Sequence, residues 1–171
     1  RSVGRLLIVG PLSCFKAWED EFFSIFERQP ISRRISGGTP VQERVDYLRG
    51  VSAQARAVEL TLTSYPTLAN MEDDYCTFLK HVSTRTMVVL DEAHYIKSGD
   101  GMQAAAALRL APLARSRVIL TGTPAPNGYE DLLNLFRFLY PERDVVGFPA
   151  ASLRAMTDGS MSSAIPELKA K

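Results

Sequence analysis

The sequence predicts an α/β fold, a mostly parallel sheet with helices on both faces. Short apolar runs rich in β-forming residues alternate five times with segments of helical periodicity. That alternation belongs to parallel sheets whose crossovers are helices. Four polar segments, Gly10 to Ser13, Thr63 to Tyr65, Asp91 to His94 and Thr121 to Pro124, each follow a predicted strand, so the topology gathers them on one rim at the strands' carboxyl ends.

The elements follow in order. "RLLIVGP" reads as a buried strand closed by Gly10 and Pro11. Ser13 is placed to cap a helix with Phe15, Trp18, Phe22 and Phe26 on one face. "ISRRISGG" is a strand ending in a glycine turn. Thr39 to Gln42 reads as a capping box with Pro40 at the first helical position, opening a helix to about Arg49. "AVELTLTSY" gives a third strand over 57–63. Pro66 starts a helix that turns Tyr75, Phe78 and Leu79 inward. "TMVVLDE" is the fourth strand, "GMQAAAALRLAPLA" a helix interrupted near Pro112, and "SRVILTGTP" the fifth strand. Asn127 to Glu130 is placed to cap a last helix carrying Leu132, Leu133, Leu135, Phe136 and Leu139. Residues 1–143 are read as one lobe. Residues 144–171 read as a poorly structured tail or connection, with one short helix near 150–156.

A chain of 171 residues suits one domain with a real core. An apolar share of 46% with 23% charged residues excludes the disordered and membrane classes, and no apolar run approaches a membrane span. No secretion signal opens the chain, so an intracellular setting is expected, and the start at Arg1 rather than Met suggests that residues precede it. The net charge of +1 gives no global attraction to nucleic acid, so any must come from local placement. Fifteen arginines against five lysines suit phosphate forks, although solvated surface is their commoner use. Cys14 and Cys76 read as reduced, partly buried thiols, and with only His81 and His94 beside them no zinc cluster can be assembled.

Asp91 and Glu92 carry the strongest chemical signal. An ionised carboxylate at the end of a buried strand costs several kcal/mol unless a cation or hydrogen bonds compensate. Mg²⁺ held by Asp91, directly or through water, meets that cost and serves nucleotide phosphates. Glu92 can then orient an attacking water. The plainer reading is that both carboxylates cap the turn and face solvent. His94 can relay a proton, bind a metal or bridge loops, and a bridge to Thr121 or Thr123 is the most economical of these. The turn Thr121-Gly122-Thr123 can present N–H groups and hydroxyls to a phosphate or a water. Ser13, Thr63 and Ser64 suit a nucleic-acid backbone and equally suit ordinary caps.

Together, "LIVGPLSCFKAWEDEF", "LTLTSY", "VVLDEAHYIK" and "VILTGTPAPNGYEDLLNLFRFLYP" resemble the first motor lobe of the Swi/Snf-related ATPases among the superfamily 2 helicases, over roughly Arg5 to Pro141. The resemblance implies a three-layer RecA-like fold, ATP with Mg²⁺, and movement along double-stranded DNA. It assigns Mg²⁺ to Asp91, the attacking water to Glu92, and coupling of hydrolysis to domain movement to His94, Thr121, Gly122 and Thr123. It places Pro11, Leu12, Ser13, Thr63, Ser64, Tyr65 and, less specifically, Lys97 at the DNA. The family's phosphate-binding loop, Gly-x-x-x-x-Gly-Lys-Ser/Thr, does not occur in the sequence, and no Gly-Lys pair is present. The reading is therefore of a motor lobe without its phosphate-loop strand, inactive alone and partnered by a second RecA-like lobe of the parent chain. That strand belongs beside "VILTGT", so a bare sheet edge and self-association through it are expected. Two alternatives stand: a non-catalytic nucleic-acid-binding module with a degenerate ATPase fold, and a dinucleotide-binding oxidoreductase, which lacks Gly-x-Gly-x-x-Gly after the first strand.

Overall fold

In a computed structural model, residues 3–50, 58–82, 86–97, 101–125, 127–160 and 165–166 are described. Five strands form one sheet: β1 (Arg5–Val9), β2 (Ser32–Ile35), β3 (Leu60–Thr63), β4 (Thr86–Leu90) and β5 (Ser116–Ile119). Their order is β2-β3-β1-β4-β5 and every neighbouring pair is parallel. All five carboxyl ends therefore share one edge. Position 57, the expected start of β3, lies outside the described residues.

Alternation along each strand sends side chains to two different cores. Leu7, Val9, Ile35, Val88 and Leu90 join the larger one, with α2 (Val41–Leu48), α3 (Tyr65–Asn70), α4 (Glu72–Val82), α5 (Met102–Leu110) and α6 (Asp131–Leu139). Ile8, Leu60, Leu62 and Val89 face the other way, onto Phe15 of α1 (Cys14–Phe26), with Trp18 beside them. On that face Leu6, Met87 and Val118 are only half-buried. The sheet is thus a middle layer, amply covered on one side and sparsely on the other.

Several local expectations are revised. Ser13 has helical backbone angles (φ −64°, ψ −25°) and its side chain caps nothing. The aromatic face of α1 is buried only in its first half, because Phe26 lies beyond the sheet and is 56% exposed. Pro40 stands just before α2 in extended conformation, and Gln42 turns forward to Asp46, so no capping box closes. The helix expected from Pro66 is two helices broken at Met71. The first is capped by Ser64, whose Oγ accepts from the Thr67 N–H, and the second opens on Glu72, Asp73 and Asp74, where acidic charge suits the helix amino end. Asn127 does not cap α6; its backbone N–H donates to the Asp131 carboxylate at 2.9 Å.

The segment expected to be poorly anchored carries α7 (Ala150–Thr157). Leu153 and Met156 are buried in a small cluster against Leu133 and Phe136 of α6. Apolar positions three apart, hidden among small residues, suffice to dock it. Cys14 and Cys76 are both free thiols.

Candidate active site

The rim is laced together by backbone hydrogen bonds that continue past the strands. The Gly10 N–H donates to Thr63 O at 3.0 Å, Asp91 N–H to Val9 O at 2.8 Å, and Leu120 N–H to Leu90 O at 2.8 Å. Ala93 N–H donates to Leu120 O at 2.9 Å, which fastens the acidic turn beside the Thr121 turn. The segments after β1, β3, β4 and β5 thus meet as one surface.

Asp91 sits half-buried at its centre. Its Oδ2 accepts from Trp18 Nε1 at 2.9 Å, its Oδ1 from the Glu92 N–H at 3.0 Å, and its carbonyl from the Tyr65 hydroxyl at 2.9 Å. Such donors fix the orientation of the carboxylate. Gly10 is required beside it, because a Cβ there meets Cys14 Sγ at 2.8 Å and Asp91 Cβ at 3.0 Å. Burial, then the charge of Asp91, pushes the Cys14 thiol up to about 12, so it stays protonated. The same two causes raise the Tyr65 phenol, which keeps it a donor.

Glu92 adopts the left-handed region (φ 52°, ψ 51°), unusual for a residue with a side chain. The turn swings its carboxylate off the strand line into an exposed position, 3.1 Å from His94 Nδ1. The His94 ring stacks on Tyr95 at 4.6 Å, and Tyr95 stacks on Tyr65 at 5.0 Å. His94 thus pairs with Glu92 rather than bridging to Thr121 or Thr123. The bridge across the rim comes from Lys97, whose Nζ donates to the Thr123 carbonyl. Lys97, which the resemblance places at the DNA, is buried, only 7% exposed. Burial lowers its pKa, and the nearby Asp131 carboxylate opposes that fall. Within the Thr121-Gly122-Thr123 turn, Thr121 Oγ1 accepts from the Thr123 N–H at 3.3 Å, while Gly122 and Thr123 remain exposed.

The residues that the resemblance places at the DNA divide by burial. Leu12 and Ser13 are exposed and Pro11 is half-exposed. Thr63, Ser64 and Tyr65 are buried and engaged inward: Thr63 Oγ1 accepts from Tyr75 Oη at 2.6 Å, and Ser64 caps α3. Trp18 and Tyr95 belong to the site, yet neither stands out in the sequence. Trp18 reads there as a core aromatic. The available signal was that a buried indole N–H needs an acceptor, and α1 starts at the rim.

The all-parallel five-stranded sheet flanked by helices, in the order β2-β3-β1-β4-β5, is that of a RecA-like lobe. The family model described as the SNF2-related domain matches residues 2–144, and the chain belongs to that family. Among relatives, the DNA repair and recombination protein RAD54-like of Drosophila ananassae is 27% identical over 142 residues, covering 82% of this chain and 17% of its own length. The DNA repair protein RAD5 of Mycosarcoma maydis is 35% identical over 153 residues, covering 80% of this chain and 10% of its own. The solved SWI2/SNF2 ATPase core domain of Sulfolobus solfataricus superposes over 98% of the chain and 31% of its own, with a TM-score of 0.68 and 25% identity. The chain therefore spans less than a third of each of these proteins.

Proposed function

We propose that this chain is part of a DNA-stimulated motor, helicase-like, that hydrolyses ATP with Mg²⁺ to move along double-stranded DNA inside the cell. The observation that carries the reading is the division of labour within the acid pair. Asp91 is half-buried with each carboxylate oxygen oriented by an N–H donor, whereas Glu92 is exposed and turned out of the strand by its left-handed backbone. The repair proteins that the chain resembles support DNA as the partner.

The residues fit Mg²⁺ of the kind bound through one or two carboxylates, with water and phosphate oxygens completing the shell. Each Asp91 oxygen accepts one hydrogen bond and keeps a lone pair. Among the described residues no group of three or more His, Cys, Asp or Glu could form an all-protein cage. When bound, the ion supplies charge neutralisation to phosphate oxygens. Glu92 accepts the proton of the attacking water, and His94 holds that carboxylate in place. Thr121, Gly122 and Thr123 pass the state of the site on, through the Ala93 and Lys97 contacts. Pro11, Leu12 and Ser13 offer the outward surface for DNA. The phosphate loop and a second lobe come from elsewhere in the parent. β5, which pairs only with β4 among the described strands, is the edge open to the phosphate-loop strand or to self-association.

In the full-length protein, Glu92→Gln should slow turnover about 10²- to 10⁴-fold with ATP binding retained. Equal loss of binding would make Glu92 a structural residue and sink the reading. The isolated 171-residue chain should hydrolyse no ATP with or without DNA.

A further inference from the structure

At the opposite pole of the sheet from the acid pair, the start of β5 and the end of α6 frame an open cavity of about 460 Å³. That volume lies within the range of ligand pockets. Three guanidiniums line it, Arg115, Arg117 and Arg143, against a single carboxylate, Glu142. The lining thus carries a surplus of two positive charges, while the whole chain carries only +1. The charge is concentrated here and is not a general property of the surface.

Arg117 forms the floor. Its Nη1 donates to the Ala111 carbonyl at 2.7 Å and the Ala114 carbonyl at 3.1 Å, and its Nε donates to the Leu139 carbonyl at 3.1 Å. Neutral carbonyls fix the guanidinium without cancelling its charge. Arg115 and Arg143 are exposed, and among the described residues neither side chain has a hydrogen bond or ion pair. Elsewhere Arg28, Arg33, Arg34, Arg49, Arg109 and Arg154 each rest on a carboxylate. Pro112, Leu113 and Leu139 add apolar patches to a lining that is otherwise mostly polar, and Tyr140, 47% exposed, stands at its side.

We infer that this cavity is a docking site for an acidic peptide segment. Planar guanidiniums recognise carboxylates through paired N–H donors, and Arg115 and Arg143 have theirs available. The apolar patches and the tyrosine suit side chains interleaved with those carboxylates, which a sugar–phosphate backbone does not supply. The cavity also faces away from the rim that gathers Pro11 to Ser13. With Arg117 already clasped, the floor is formed before the ligand arrives, which reduces the ordering cost of binding.

The test titrates the full-length protein against a fluorescein-labelled peptide of alternating glutamate and leucine, read by anisotropy, with a duplex oligonucleotide as the second probe. The double variant Arg115→Glu/Arg143→Glu should weaken peptide binding about tenfold, as expected for two exposed charge contacts. Both side chains are exposed, so folding should be retained, checked by circular dichroism. Peptide affinity changed less than twofold would overturn the assignment. So would an equal loss of duplex binding, which would mean that the cavity takes nucleic acid.

Discussion

The indole N–H of Trp18 donates to Asp91 Oδ2 at 2.9 Å, joining the first turns of α1 to the end of β4 across 73 residues of sequence. This contact makes a core aromatic a positioning residue for the acidic centre. Trp18→Phe keeps the ring and removes only the donor. The isolated chain should lose about 1 kcal/mol of stability in denaturant titration. If Asp91 holds Mg²⁺ as proposed, the Mg²⁺ concentration for half-maximal hydrolysis by the full-length protein should rise about tenfold, as for outer-shell partners of metal ligands. An unchanged Mg²⁺ requirement would leave Trp18 with packing alone.

Gly10→Ala should destabilise the chain by about 1–3 kcal/mol, the range for overpacking a filled site. The added carbon meets Cys14 Sγ first, at 2.8 Å. In a Cys14→Ala background the same substitution should therefore cost less, a non-additivity that a double-mutant cycle measures. Strict additivity would mean that the sulfur is not the obstacle.

Tyr95 is the middle ring of the stack from His94 to Tyr65. Tyr95→Ala should cost about 0.5–1.5 kcal/mol of stability beyond the lost area, and Tyr95→Phe nearly nothing. Urea unfolding of the two variants separates stacking from the hydroxyl. Equal effects would assign the role to the phenol instead.

Acid stability should have an identifiable source. A hydrogen bond from Arg34 holds the Glu19 carboxyl below its usual 4.5, and one from Arg28 does the same for Glu59. Both folded values lie below the unfolded ones. Their stabilisation is therefore complete above about pH 4.5 and is lost as pH falls through the lower folded values. Glu19→Gln and Glu59→Gln should each flatten the fall in melting temperature between about pH 5 and 3. An unchanged slope in both would place the acid sensitivity elsewhere.

Much of the fold could be read from the sequence because an unbroken apolar run marks a strand buried on both faces, as in "LLIV", and helical spacing marks a buried face, as in Tyr75, Phe78 and Leu79. The acid pair was legible for the same reason, since two carboxylates ending an apolar run demand an explanation. What escaped was tertiary. Whether Lys97 faces solvent or the Thr123 carbonyl depends on a turn 26 residues away. The partner chosen by His94 depends on the left-handed backbone of Glu92, which no local pattern announces. The expected cap at Asn127 failed because α6 begins only at Asp131, whose carboxylate accepts from the Asn127 N–H.

Helix α7 clamps onto α6, and Asn134 of α6 donates through Nδ2 to the Ile96 carbonyl at 2.9 Å, in the turn that follows Glu92. Residues 150–157 are thus connected, through one packed cluster and one hydrogen bond, to the loop bearing both acids. If the acid pair works as proposed, the small carboxy-terminal helix is a handle on that loop, and twisting it would be felt where the two acids sit.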